Sequence, residues 1–294
     1  MIHQVTRGFV EVADRVFLAR YPQWDVGVGL VLGRDGAVVV DTRASDVQGR
    51  EVLDDIHCLV QRLGREIEVR HVVNTHVHFD HTFGNVAFDA ATVHAHHNVA
   101  LGLRAHAERI RAAVREDPSA APEYGYTEAD LLQVLVTPVR GPDRTFGSNA
   151  TIDLGDRVVT MAYAGRGHTD GDVAVLVPDA GALFLGDLVE ESDHPSFGDD
   201  SWPLDWADTL TAHLVAAGEP TVVVPGHGRP VDAAFVERQR DEVAAVAAVL
   251  RERRLAGIPL EEALHEPDTR LPYPPAHLEA AVRRVWAQLA PPPP

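Results

Sequence analysis

His76-Val77-His78-Phe79-Asp80-His81 places three imidazoles and a carboxylate within six residues, directly beyond the apolar run Ile67 to Val73. Both groups are good ligands for zinc and related divalent cations. They converge only where the chain turns, because a straight strand sends neighbouring side chains to opposite faces. The stretch predicts a strand ending in a turn that can supply two adjacent metal sites. A solvated, inert turn is the competing reading, and three downstream segments weigh against it: Gly165-Arg166-Gly167-His168-Thr169-Asp170-Gly171, Leu183-Phe184-Leu185-Gly186-Asp187 and Val224-Pro225-Gly226-His227-Gly228. Each follows an apolar segment and sets glycine beside a candidate ligand, which permits close backbone approach to a shared centre. Singly each reads as an ordinary turn or loop.

Working outward, the pieces Phe9–Val12, Val16–Ala19, Val26–Leu32 and Ala37–Val40 read as a meander, with Asp35-Gly36 supplying the tight turn between the last two. From Ser45, a plausible N-cap, to Gly64 the apolar residues Val47, Val52, Leu53, Ile56, Leu59, Val60 and Leu63 recur at helical spacing. Beyond the histidine-rich turn come a short strand at Thr92–His94, a charged helix at Asn98–Glu116 and a proline-rich, polar stretch at Asp117–Arg144 with one helical piece near Glu128–Leu135. That stretch suits a lid or a dimer contact equally well. Strands follow at Ala150–Leu154, Arg157–Tyr163, Val173–Val177, Ala182–Leu185 and Thr221–Val224, then helices at Phe235–Leu255 and His277–Leu289. Two strand-rich halves with helices between and after them predict two sheets packed face to face, with the helices outside.

The bulk numbers narrow the function class. The 294 residues can bury a large core, and no apolar run approaches the roughly 18 residues that span a bilayer. Forty-four acidic against 26 basic side chains give a net charge of −18, which repels phosphate backbones and anionic lipid and disfavours nucleic acid and membrane partners. Met1 to Arg7 shows no basic-then-apolar signal pattern, so the expected location is cytoplasmic. The lone Cys58 has no internal disulfide partner and reads as buried helix packing. Oligomeric state is not legible.

The four segments in this order resemble the metallo-β-lactamase superfamily over roughly residues 8 to 230. The resemblance implies an α/β (α+β) fold, a four-layer αββα sandwich of two mixed β-sheets flanked by helices. On that reading residues 1–230 form the catalytic domain and residues 231–294 a helical extension packed on it. It further implies that His76, His78 and His168 hold one metal, that Asp80, His81 and His227 hold a second, and that Asp187 bridges the two. The ligand set is similar to that of glyoxalase II-like enzymes, though no glutathione-binding residues are recognisable. Asp41, at the end of Val38–Val40, matches a family position behind the metal-bearing turn.

The expected activity is that of a dinuclear metal-dependent hydrolase acting on a small molecule, with zinc the first choice of metal and iron or manganese the alternatives. A metal-bound hydroxide would attack an ester, thioester, lactone or lactam carbonyl, with Asp80 orienting the nucleophile or relaying its proton. Retention of Asp187 ranks esters, thioesters and lactones ahead of β-lactams. A mononuclear iron persulfide dioxygenase and a non-enzymatic metal-binding protein are the alternatives, whereas diiron flavoproteins usually carry glutamate at the place of His78. Arg166, Tyr124, Tyr126, His194 and Trp202 are pocket-lining candidates for which surface or packing roles weigh more. His94, His96 and His97 match no family ligand position and read as solvated or helix-capping.

Overall fold

The computed structural model describes residues 8–23, 25–117, 126–266 and 268–290. Tyr124, proposed from sequence as a pocket residue, lies outside them, as do Met1 to Arg7 and the Pro291–Pro294 tail. A seven-stranded sheet runs β1 (Val10–Ala13), β2 (Val16–Arg20), β3 (Gly27–Leu32), β4 (Ala37–Val40), β5 (Val69–Val73), β6 (Thr92–His96) and β7 (Arg144–Phe146), adjacent in space in that order. The first four are an antiparallel meander and the last four are mutually parallel. The second sheet holds β8 (Asn149–Asp153), β9 (Val158–Ala162), β10 (Ala174–Val177), β11 (Ala182–Glu190) and β12 (Val222–His227), with only the β11–β12 pair parallel. Both sheets are therefore mixed, as the family resemblance implies.

Period-two alternation builds the layers. In β2, Val16 and Leu18 face the second sheet, where they pack with Val175, Val177, Ala182 and Phe184. Phe17 and Ala19 face the other way, toward Val52, Ile56, Leu59 and Val60 of α1 (Asp46–Arg62). In β11, Leu183 and Leu185 turn outward to a cluster shared with α5 (Pro203–Ala217), α6 (Ala233–Leu255) and α8 (Pro275–Gln288). Two sheets with apolar side chains on both faces, covered by helices on both outer sides, make the αββα sandwich. Gly29 is needed at the sheet interface, since a Cβ there would lie 2.4 Å from the Phe184 ring.

Ser45 caps α1 by accepting from the Gln48 N–H, as its position suggests. Cys58 is a correction: it is exposed, because it lies off the stripe formed by Val52, Ile56, Leu59 and Val60. β7, α5 and α7 (Leu260–His265) fall where the sequence reading places no element. α3 (His97–Glu116) and α4 (Glu128–Val136) appear as expected and close the first sheet's far side with the short α2 (Phe79–Thr82). His96 caps α3 by accepting from the Asn98 N–H, while His94 is buried and lies 3.1 Å from His71, so His94 is not solvated.

Candidate metal centre

The ends of β4, β5, β9, β11 and β12 meet at one edge of the sandwich, and the candidate ligands sit there. β5 delivers Asn74 to His81. A buried network in which Asn74 Nδ2 donates to His81 O and Thr42 Oγ1 and Asn74 Nδ2 both donate to Asn85 Oδ1 fixes this turn. Phe79 to Thr82 close into α2, so Asp80 and His81 project from a helical turn and not from an irregular loop. The loop after β9 carries His168. It is pinned by Asp172, which accepts from Thr169 N–H and Oγ1, and by the Trp202 N–H, which donates to Gly167 O. Burial pushes Asp172 up to about 7, with the Thr169 hydrogen bonds opposing it.

All seven sequence candidates come together, in two groups that share an edge. His76, His78, His168 and Asp187 form one, and Asp80, His81 and His227 the other. In the first, His168 Nε2 is 2.8 Å from His78 Nδ1 and 3.3 Å from Asp187 Oδ2, and His76 Nε2 is 3.5 Å from the same oxygen. In the second, His227 Nε2 is 3.3 Å from His81 Nε2 and 3.4 Å from Asp80 Oδ2. Asp187 touches both groups, with Oδ1 3.2 Å from His81 Nε2 and Oδ2 3.3 Å from His227 Nε2. All are buried except His78, which is partly so.

Hydrogen bonds on the far nitrogens decide which lone pairs face inward. His81 Nδ1 donates to Asp41 Oδ2 at 2.9 Å. His76 Nδ1 donates to Thr75 Oγ1, whose hydroxyl in turn donates to Asp41 Oδ2. His168 Nδ1 donates to Ser196 O. Each bond leaves an unprotonated Nε2 pointing at the cluster. His168 Nε2 and His78 Nδ1 lie 2.8 Å apart and His81 Nε2 and His227 Nε2 3.3 Å apart, so each pair must share either a proton or a cation. Tetrahedral zinc with ligands at roughly 2.0–2.2 Å has ligand–ligand edges of about 3.3–3.6 Å, which most of these separations match. His76 Nε2 and Asp187 Oδ1 are also buried without a hydrogen-bond partner among the described residues. Donor chemistry, spacing and orphaned atoms all fit metal binding by these groups.

Burial alone would raise the carboxyls of Asp80 and Asp187 and lower the imidazoles of His81 and His227, yet their mutual attraction holds both carboxyls well below and both imidazoles well above their ordinary ranges. Burial pushes His168 down to about 4, so its ring is neutral at neutral pH. Among residues that sequence reasoning left unassigned, Asp200 and His106 border the centre: His78 Nε2 is 3.3 Å from both Asp200 oxygens, and the His106 ring stacks on His78. Arg166 and Trp202 pack on each other and Arg166 pairs with Asp205, Tyr126 is buried near Phe79, and His194 is exposed beside Tyr273 and His277.

This fold and this site define a metallo-β-lactamase-type hydrolase, and comparison with known proteins agrees. The family model described as Metallo-beta-lactamase superfamily matches residues 23–227, and the chain belongs to that superfamily. Human "Acyl-coenzyme A thioesterase MBLAC2" is 29% identical over 205 residues, 68% of this chain and 72% of the relative. "Metallo-beta-lactamase type 2" of Bacillus cereus is 26% identical over 207 residues, 69% of this chain and 68% of the relative. Two solved structures share the fold. The metallo-β-lactamase from Pontibacter korlensis matches at TM-score 0.60 and 20% identity, covering 81% of this chain and 99% of its own. The sec-alkylsulfatase Pisa1 from Pseudomonas sp. matches at TM-score 0.72 and 17% identity, covering 96% of this chain and 50% of its own. The named relatives are hydrolases, and the chain is an enzyme of that class whose His/Asp groups can bind metal.

Proposed function

We propose that the chain is a dinuclear zinc hydrolase of small carboxylic thioesters, esters or lactones. His76, His78 and His168 would hold one ion, Asp80, His81 and His227 the other, and Asp187 would bridge them. The observation that carries this reading is Asp187, whose two oxygens face the two histidine groups at once. When bound, such a metal pair polarises the substrate carbonyl and lowers the pKa of water from ~15.7 toward ~7. The protein's share is orientation and proton handling. Asp41 and Ser196 O hold His81 and His168 in the tautomer that donates through Nε2. Asp80 offers Oδ2 to His81 and His227, and its carboxylate orients the attacking water or takes its proton.

The two relatives found by sequence are named for acyl hydrolysis, of a thioester and of a lactam. Thioesters and esters stand first because Asp187 is kept between the two groups. β-Lactams stand second on the strength of the Bacillus cereus relative. Elemental analysis of the purified protein, with hydrolysis of a panel of acyl-CoA thioesters, lactones, aryl esters and β-lactams, tests the proposal. The expected result is zinc in both sites and thioester or ester turnover that is lost in His78→Ala and Asp187→Ala, with circular dichroism unchanged. Full turnover in either variant would sink the ligand assignment. A single iron with oxygen uptake would replace hydrolysis by dioxygenase chemistry.

A further inference from the structure

His78 differs from the other histidines of the centre. It faces His168 through Nδ1 and turns Nε2 outward, toward a loop distant in sequence. There both oxygens of Asp200 lie 3.3 Å from Nε2. Asp200 is held in turn by Arg109 of α3, whose Nη2 donates to Oδ2 at 2.7 Å. His106, one turn before Arg109, completes the assembly: its ring stacks on His78 with centroids 4.9 Å apart and planes at 24°. The Phe79 N–H donates to His106 Nε2, and His106 Nδ1 lies 4.0 Å from Asp200 Oδ2.

By residue type, His78, His106 and Asp200 could themselves hold a cation. Arg109 occupies that role already, because its guanidinium lies 2.7 Å from Asp200 Oδ2 and 3.0 Å from His106 Nδ1. The carboxylate is thus charged, oriented and left with one strong acceptor direction, toward His78 Nε2. Its loop is anchored from behind by the C-terminal helix, where Arg284 Nε donates to Ser201 O and His277 Nε2 to Pro195 O.

We propose that Asp200, clamped by Arg109, is a positioning residue for the first metal site: it holds the His78 proton on Nε2 and so keeps Nδ1 free to donate. A carboxylate that accepts the outer N–H of a ligating histidine fixes its tautomer, and loss of such a partner typically costs about 10–100-fold in metal affinity. The inference rests on the two-site reading above, and the test separates the two. Zinc affinities of the two sites are measured by chelator competition, and cobalt absorption is followed as each equivalent is added. In wild type both equivalents bind. In Asp200→Ala the His76–His78–His168 site weakens about 10–100-fold and its cobalt bands shift, while the Asp80–His81–His227 site and the melting temperature of the metal-free protein hold. Asp200→Asn, which keeps an oxygen acceptor without the charge, recovers part of the affinity.

Unchanged affinities in Asp200→Ala would overturn the inference while leaving the two-site reading intact. Equal weakening of both sites would overturn it too, by making Asp200 a general scaffold residue. A wild-type protein that binds no zinc would remove the two-site reading itself.

Discussion

At the scale of single residues, Asp41 carries more of the centre than its neighbours suggest. Its φ of 65° is left-handed, a conformation that aspartate and asparagine tolerate better than most, and its carboxylate accepts from Thr75 N–H, Thr75 Oγ1–H and His81 Nδ1–H. Asn in its place keeps the shape and the backbone angle. Its amide must then either donate to His81 Nδ1, which moves the imidazole proton onto the inward nitrogen, or oppose the Thr75 donors. Asp41→Asn is expected to lower zinc affinity at the Asp80–His81–His227 site roughly 10–100-fold at nearly unchanged melting temperature, measured by chelator competition. The seven inward-facing residues were legible because four of them lie in the six-residue motif and the other three in glycine-flanked segments. Asp200 was not legible: Gly198-Asp199-Asp200-Ser201 reads as a polar turn, and only folding brings it to His78, 122 positions away.

His213 of α5 gives a residue-scale prediction that does not involve metal. It is buried, its Nε2 has no hydrogen-bond partner among the described residues, and burial pushes it down to about 4 from 6.5. The unfolded chain therefore takes up a proton near pH 6.5 that the folded chain refuses until about pH 4. Stability from the neutral ring is complete above pH 6.5, falls as pH drops through that window and levels off below it. The loss is at most about 3 kcal/mol at ~1.4 kcal/mol per unit. Urea unfolding at pH 7 and pH 5 should show wild type losing more stability than His213→Leu over that interval; equal losses would refute the assignment.

At the scale of elements, the sequence reading ended two strands at Leu185 and Val224, where Gly186 and the Pro225-Gly226 pair look like breakers. Both strands run on, β11 to Glu190 and β12 to His227. Gly186, at φ 52°, sits at a register shift in the parallel pair, and this irregularity re-aims Asp187 toward both histidine groups. α5 went unread although Pro203 at its first turn is a helix-start signal that could have revealed it. Gly226 is the counterpart to the bulge: a Cβ there would fall 1.8 Å from Asp187 Oδ1. Gly226→Ala must displace the carboxylate or part the strands. A misplacement of about 1 Å can cost about 100-fold in rate, so turnover should drop at least that much with zinc content reduced. Retained rate and metal would mean that β12 yields where its close packing says it cannot.

At the scale of the whole molecule, the boundary between residues 230 and 231 marks a change of element type but no break in the core. Val236, Val243, Val246 and Leu250 of α6 and Leu278, Ala281, Val282, Val285 and Trp286 of α8 share one buried cluster with Leu183, Leu185 and Leu188 of β11 and with Trp206 and Leu210 of α5. α8 also grips the loop that carries Asp200 through Arg284 and His277. A chain stopped at residue 230 would bare the outer face of the second sheet. Truncating one large buried side chain costs about 2–5 kcal/mol, and a whole domain holds only about 5–15 kcal/mol, so losing even a few of these contacts consumes the margin. The fragment 1–230 is therefore expected to aggregate or to bind a hydrophobic dye without a cooperative melt, whereas the full chain unfolds in one transition that zinc shifts upward. At free zinc about 1,000-fold above Kd that shift reflects about 4 kcal/mol, and a chelator removes it. If the fragment instead melts cooperatively and binds zinc as the full chain does, the C-terminal helices are an independent appendage and Asp200 reaches His78 without their support.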